Sequence, residues 1–195
     1  MTIDRPRAAR ALDEFLRAMG RDPDKDPALA GTGDRVAAAW ADDLLAGYEV
    51  DVRALLDGEA IPLPSGSSAP PFVTLRALPA VTTCPHHLLP SVGHATVVFE
   101  PGARLVGVGT LGDLVDALSR RLALQEDITT AIVDALMDDL GALGAAARLT
   151  MRHGCMLARG SRRHVDVETL ATRGSLHAGG QHHASLPLLL GAPHG

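Results

Sequence analysis

Apolar residues in the first part of the chain recur with a helical period. Ala8, Leu12, Phe15, Leu16 and Met19 fall on one face of a helix predicted over residues 7–19, because positions three and four apart share a face when the chain turns every ~3.6 residues. A turn-rich connector follows at residues 22–32. Asp34 then stands where it can cap a second helix over residues 35–46, ended by Gly47. Residues 1–60 therefore read as an N-terminal helical element. Residues 61–71, rich in Pro, Ser and Gly, read as a loop before the main domain.

After the loop the period falls to two. Val73, Leu75 and Ala77 alternate with Thr74 and Arg76 in a strand that runs toward Thr82-Thr83-Cys84-Pro85-His86-His87. A second strand is predicted over residues 94–100, turned by Pro101-Gly102 into a third at about 105–108. Helical spacing then returns. Leu111, Leu114, Val115, Leu118 and Leu122 mark one face, and Ile128, Ala131, Ile132, Ala135, Leu136 and Leu140 mark another, closed by Gly141. Ala147, Leu149 and Met151 next alternate with Arg148, Thr150 and Arg152, which points the first three inward and the arginines out. Residues 163–170 are expected to return as the second arm of a hairpin through Gly160.

Strands, two helices and strands again predict an α+β domain over residues 72–174, an antiparallel sheet carrying both helices on one face. Such a sheet has open edges, so assembly with further copies of the chain is expected. Residues 175–195, with His177, His182, His183 and His194, read as a loosely ordered, solvated tail in which Leu186–Leu190 is apolar enough to dock.

Composition narrows the function classes. A formal charge of -5 with a single lysine, Lys25, and 3% aromatic residues supplies neither the cationic surface nor the stacking platform that nucleic-acid binding uses. No apolar run is long enough to span a bilayer, and residues 1–10 lack the apolar stretch of a secretory leader, so no membrane association and a cytoplasmic location are expected. In that setting two cysteines, Cys84 and Cys155, point to thiols with a chemical task rather than to a disulfide.

Their neighbours suggest the task. Cys84 and His87 stand three apart across a turn stiffened by Pro85, a spacing that lets a thiolate and an imidazole converge on one ion. His153 and Cys155 stand two apart, on one face if the strand through Met151 continues. Three readings follow from spacing: a closed structural site of Cys84, His87, His153 and Cys155; a three-ligand site with an open position for chemistry; or histidines packed at the edge of the core without metal.

Several separated motifs resemble the GTP cyclohydrolase I family. They are Thr83-Cys84-Pro85-His86-His87, then Ser119-Arg120-Arg121-Leu122 with Gln125-Glu126, then His153-Gly154-Cys155-Met156 through Arg159-Gly160. The resemblance implies a tunnelling fold and a homo-oligomer, a decamer in the family, with active sites between subunits. It also implies a zinc ion on Cys84, His87 and Cys155, with His86 and His153 in proton transfer and Glu126, beside Gln125, on the guanine ring. The activity it implies is hydrolytic opening of the imidazole ring of GTP or a guanine-like heterocycle, with release of formate. Of the family's phosphate-handling positions, Arg35 and Arg159 are matched. Gly109-Thr110 and Asp113 stand where the family carries a Ser-Lys pair and an arginine, and Ala38 stands where it carries a lysine. A less phosphorylated purine, a pterin-like ring or a non-catalytic zinc protein are the other readings of this pattern.

Overall fold

Alternating side chains can bury one face of a strand only if something apolar covers it, and here two helices do. In the computed structural model, which describes residues 3–63, 71–160 and 162–191, four antiparallel strands form the central sheet in the order β2-β3-β5-β6. They are β2 (Val73–Thr83), β3 (Pro90–Glu100), β5 (Gly144–His153) and β6 (Val167–Gly174). Helices α4 (Val108–Ser119) and α5 (Gln125–Asp134) pack on one face. The fold is α+β, as the alternation of periods predicts. Most of residues 61–71, and His194 in the tail, lie outside the described residues.

The core lies between sheet and helices. Val97, Phe99, Ala147, Leu149 and Met151 from the strands meet Leu111, Leu114, Val115, Ile128, Ile132 and Leu136 from the helices. All of these are at most 1% exposed. Fully burying one such side chain contributes roughly 1.5–3 kcal/mol, so this layer dominates the stability of the sheet. After α5 the helix widens into a π turn at Ala135–Asp139 before Gly141 adopts a positive φ of 81° and releases the chain into β5.

Several elements depart from the periodicity. Helix α1 runs Arg5–Ala18, with Asp4 capping Arg7 N, but Phe15 and Met19 are 60% and 63% exposed. Helix α2 is Thr32–Ala39, so Asp34 lies in its first turn and Gly31 is the cap. A π turn at Trp40–Leu44 and a 3-10 turn at Ala46–Glu49 complete the segment read as one helix. A third helix, α3 (Val52–Glu59), buries Leu56 in the core and was not visible as a periodic run. The strand around residues 105–108 shrinks to β4 (Arg104–Val106), which pairs with β1 (Ala60–Pro62) rather than with the strand before it.

The second face of the sheet is covered in part by the tail. Val98 and Ala146 pack with Leu176 and with Leu186 and Leu190 of helix α7 (Leu186–Leu190). Arg148 therefore points away from α4 and α5, as the alternation predicts, but is only 8% exposed. Its guanidinium donates to Leu190 O and Gly191 O, both at 3.1 Å, and Arg76 donates to Leu189 O at 2.6 Å. Charged donors at the last carbonyls of a helix satisfy groups that have no partner within it. The tail is thus docked over His183–Leu190 rather than loose.

Candidate metal centre and its cavity

At one end of the sheet the strands stop within a few residues of one another, and the chemistry-bearing side chains gather there. Strand β2 ends at Thr83, and the next residues form a tight turn in which Leu88 N donates to Cys84 O at 2.9 Å and Cys84 N to Leu89 O at 3.0 Å. Leu88 closes the turn at a φ of 53°. This curl brings Cys84 Sγ to 3.7 Å from His87 Nδ1. On the far side, β5 ends at His153 and the chain enters one helical turn, α6 (Gly154–Leu157). Cys155 sits in that turn, so strand alternation does not set its direction, contrary to the reading from spacing. Gly154 permits the turn, because a Cβ there would lie 2.5 Å from Pro90 O.

The result is a cluster of Cys84, His87 and Cys155 whose ligand atoms all lie within 4.8 Å of one another. A tetrahedral zinc centre, with Zn–S of about 2.3 Å and Zn–N of about 2.0 Å, sets its ligand atoms roughly 3.5–3.8 Å apart. The donor set and spacing fit such an ion. Burial pushes the Cys155 thiol above its usual range, and the nearby Cys84 adds to this, while Arg159 opposes it. A divalent cation removes that penalty by stabilising both thiolates.

The cluster opens on a cavity of about 220 Å³, lined by Thr82, Cys84, His86, His87, Ser91, Ala123, Leu124, Gln125, Glu126, His153 and Cys155. A further wall comes from the segment between the two helices. Thr83 N and Thr82 Oγ1 both donate to Arg121 O, at 3.3 and 3.1 Å, and Thr83 bridges Leu122 in parallel. That seam fixes where α5 begins. It places exposed Glu126 and buried Gln125 at the cavity.

Seven of the residues singled out from sequence converge here: Cys84, His86, His87, Gln125, Glu126, His153 and Cys155. His86 and His87 are both exposed, with their rings edge to face at 6.2 Å between centroids. Gln125 turns its amide inward, donating to Leu149 O at 3.0 Å and Val167 O at 2.9 Å, with Oε1 2.8 Å from His153 Nε2. Arg35 and Arg159 are not part of the lining. Arg35 is exposed and donates to Ala30 O at 2.8 Å and Thr32 Oγ1 at 3.0 Å. Arg159 is exposed beyond the end of α6. Among the described residues, the cavity wall contains no lysine or arginine.

Sequence reasoning missed Ser91, which is 1% exposed and lies 3.1 Å from His153 Nδ1. Starting the second strand at His94 left it in a loop. In the sheet, β3 begins at Pro90 and Ser91 faces His153 across the ladder; no local motif reports such a register.

The family model of GTP cyclohydrolase I matches residues 8–187. The GTP cyclohydrolase 1 of Leifsonia xyli is 39% identical over 173 residues, covering 88% of each chain. That of Deinococcus radiodurans is 36% identical over 162 residues, 83% of this chain and 72% of the relative. That of Caldanaerobacter subterraneus is 33% identical over 159 residues, 81% of each. Among solved structures, the archaeosine synthase QueF-Like in its apo form aligns at 16% identity and a TM-score of 0.46, over 55% of this chain and 97% of that one.

Proposed function

The chain belongs to the GTP cyclohydrolase I family, and from that premise we propose that it is a zinc-dependent hydrolase that opens the imidazole ring of GTP or a guanine-like substrate. The products are formate and a dihydropterin-type compound. The observation that carries the reading is the convergence of Cys84, His87 and Cys155 with two further histidines and a carboxylate on one small cavity. A structural zinc site needs its four ligands and no more, whereas this cavity keeps His86, His153 and Glu126 outside the ligand trio.

Cys84, His87 and Cys155 would hold the zinc, which when bound supplies Lewis acidity and a hydroxide source near neutral pH. The remaining residues divide the work. Glu126, exposed at the start of α5, accepts hydrogens from N1 and the 2-amino group of guanine and orients the ring. His86, exposed on the turn, and His153, anchored at the end of β5, move protons at the ring nitrogens. Protonation at N9 lets the C8–N9 bond open as water adds to C8. A second hydrolysis breaks C8–N7 and frees C8 as formate, and the amine left at N7 condenses with C2′ of the sugar, isomerised to a ketone, losing water to complete the dihydropterin ring.

A second reading is favoured by the lack of Lys and Arg in the described cavity wall. Thr110 is 7% exposed within α4, and Asp113 lies near Asp116 and Arg120 in a separate hollow. A triphosphate tail would then depend on Arg159, Arg35 or arginines of another subunit, and a shorter tail would bind with less loss. We further infer a homo-oligomer, supported by the two edge strands, β2 and β6, with the catalytic unit at residues 72–174.

Zinc-loaded protein incubated with GTP, GMP and guanosine should release formate from GTP. Release from GMP or guanosine but not from GTP would transfer the assignment to a less phosphorylated purine. No formate from any of the three would overturn ring opening and leave a zinc-binding protein.

A further inference from the structure

We propose that Ser91 and Gln125 are positioning residues that hold the His153 imidazole in one orientation and one tautomer, with hydrogen on Nε2 and the lone pair on Nδ1. The inference rests on the cavity being the active site, but its geometry stands independently. Gln125 is 2% exposed, and its amide nitrogen donates to two backbone carbonyls, Leu149 O at 3.0 Å and Val167 O at 2.9 Å. Neither acceptor carries a hydrogen, so the amide cannot be reversed without placing oxygen against oxygen twice. Oε1 is thereby left facing His153 Nε2 at 2.8 Å.

An amide oxygen only accepts, so Nε2 is the donor. In a neutral imidazole the other nitrogen must then be an acceptor, and the group 3.1 Å from Nδ1 is the Ser91 hydroxyl, which can donate to it. Ser91 reaches that position because it pairs directly with His153 in the β3–β5 ladder, which puts the two side chains on one face. Both partners are rigid: Ser91 is 1% exposed between two strands, and Gln125 opens α5 with its amide tied to β5 and β6.

The consequence for chemistry is a division between the two histidines. His86 sits exposed on a turn, whereas the His153 ring is held at both nitrogens, so a proton reaching or leaving Nδ1 passes by way of the Ser91 hydroxyl, which shares the cavity wall. A fixed ring does not have to be ordered during the reaction. Removing Ser91 should therefore act on turnover rather than on binding.

The test uses full-length, zinc-loaded protein labelled with 15N-histidine, the His153 signals being assigned by their loss in His153→Gln. The expected wild-type spectrum has a protonated Nε2 and an unprotonated, hydrogen-bonded Nδ1. Ser91→Ala should keep its zinc, show mixed tautomers at His153, and lose about tenfold in kcat for formate release from GTP, part of the roughly 10²–10⁴-fold a placed acid–base group contributes. KM should move less than about twofold, and Ser91→Thr should restore both spectrum and rate. A wild-type Nδ1–H tautomer, or a Ser91→Ala spectrum unchanged from wild type, would overturn the proposal. Absence of formate from wild type would count against the enzymatic reading alone, since the 15N spectrum still decides the tautomer.

Discussion

On one face of the sheet Ala147, Leu149 and Met151 lie under α4 and α5. On the other, Arg148 lies under α7, as deeply buried as an apolar residue but tied to the backbone of the tail. The first face is closed by shape and hydrophobicity, and it carries the strand ends that build the Cys84, His87 and Cys155 cluster. The second is closed by charged donors on carbonyl oxygens and ends in open surface. The difference separates two kinds of dependence: the helix side should govern the chemistry, and the tail side should govern only how firmly the sheet is held.

The largest expected effect tests the first half of that division. Cys155→Ala removes one of the three proposed ligands and should abolish stoichiometric zinc binding and formate release together, because two remaining ligands hold zinc too weakly. Metal content by atomic spectroscopy and formate release from GTP check it. His153→Ala should instead keep about one zinc per chain while losing turnover. Loss of metal in that variant would show that His153 belongs to the coordination shell, and the cavity would then be a closed structural site.

Next in size are changes at the tail. Leu186 is 5% exposed in the small cluster with Val98 and Ala146, so Leu186→Ala should cost about 2–3 kcal/mol. Leu188, 82% exposed, should tolerate the same change. Arg148→Met should cost roughly 1.5–3 kcal/mol, the usual range for a charged donor lost from buried carbonyl partners. Urea unfolding measures each of these. In all of them kcat should stay within about twofold of wild type below the unfolding transition. A large loss of kcat without loss of stability would join the two faces functionally.

How much of this was legible in sequence follows from the same contrast. Hydrophobic periodicity finds a surface that packs on another surface, so Leu111 to Leu118, Ile128 to Leu140 and Ala147 to Met151 announced the helix-side core directly, whereas Leu122 falls past the end of α4. The cysteine and histidine spacings left a metal site as one of three readings, the family resemblance singled out Cys84, His87 and Cys155, and those three side chains lie close enough together to hold an ion. Contacts that depend on register or on remote backbone left no periodic trace. Arg148 read as an outward charge because nothing local says that the carbonyls of Leu190 and Gly191 lie above it. Ser91 was lost for the same reason: its partner is 62 residues away. Phe15 and Met19 show the converse error, since helical spacing on α1 was real and Ala8, Leu12 and Leu16 on that face are partly buried, but these two are exposed.

The smallest expected effect concerns the ion pairs that tie α5 and its π extension to the edge strand β6. Arg173 donates to Asp134 Oδ1 at 2.8 Å and to both oxygens of Asp138, at 2.8 and 2.9 Å. Hydrogen bonding to this guanidinium holds the Asp138 carboxyl below its usual range, and the positive charge acts in the same direction, against partial desolvation. A carboxylate whose pKa is lower folded than unfolded stabilises the fold above its unfolded pKa, about 3.9, and loses that contribution as pH falls through the folded value. The groups are exposed, so solvent and salt screen most of the attraction. Wild type should therefore be slightly more stable than Asp138→Asn at pH 7. The gap, read from urea midpoints, should begin to narrow below about pH 4, close only as pH passes the lower folded value, and shrink at high salt. If instead it neither narrows on acidification nor responds to salt, the contact acts through packing rather than charge, and the helix side of the sheet is held by hydrophobic burial even at its rim.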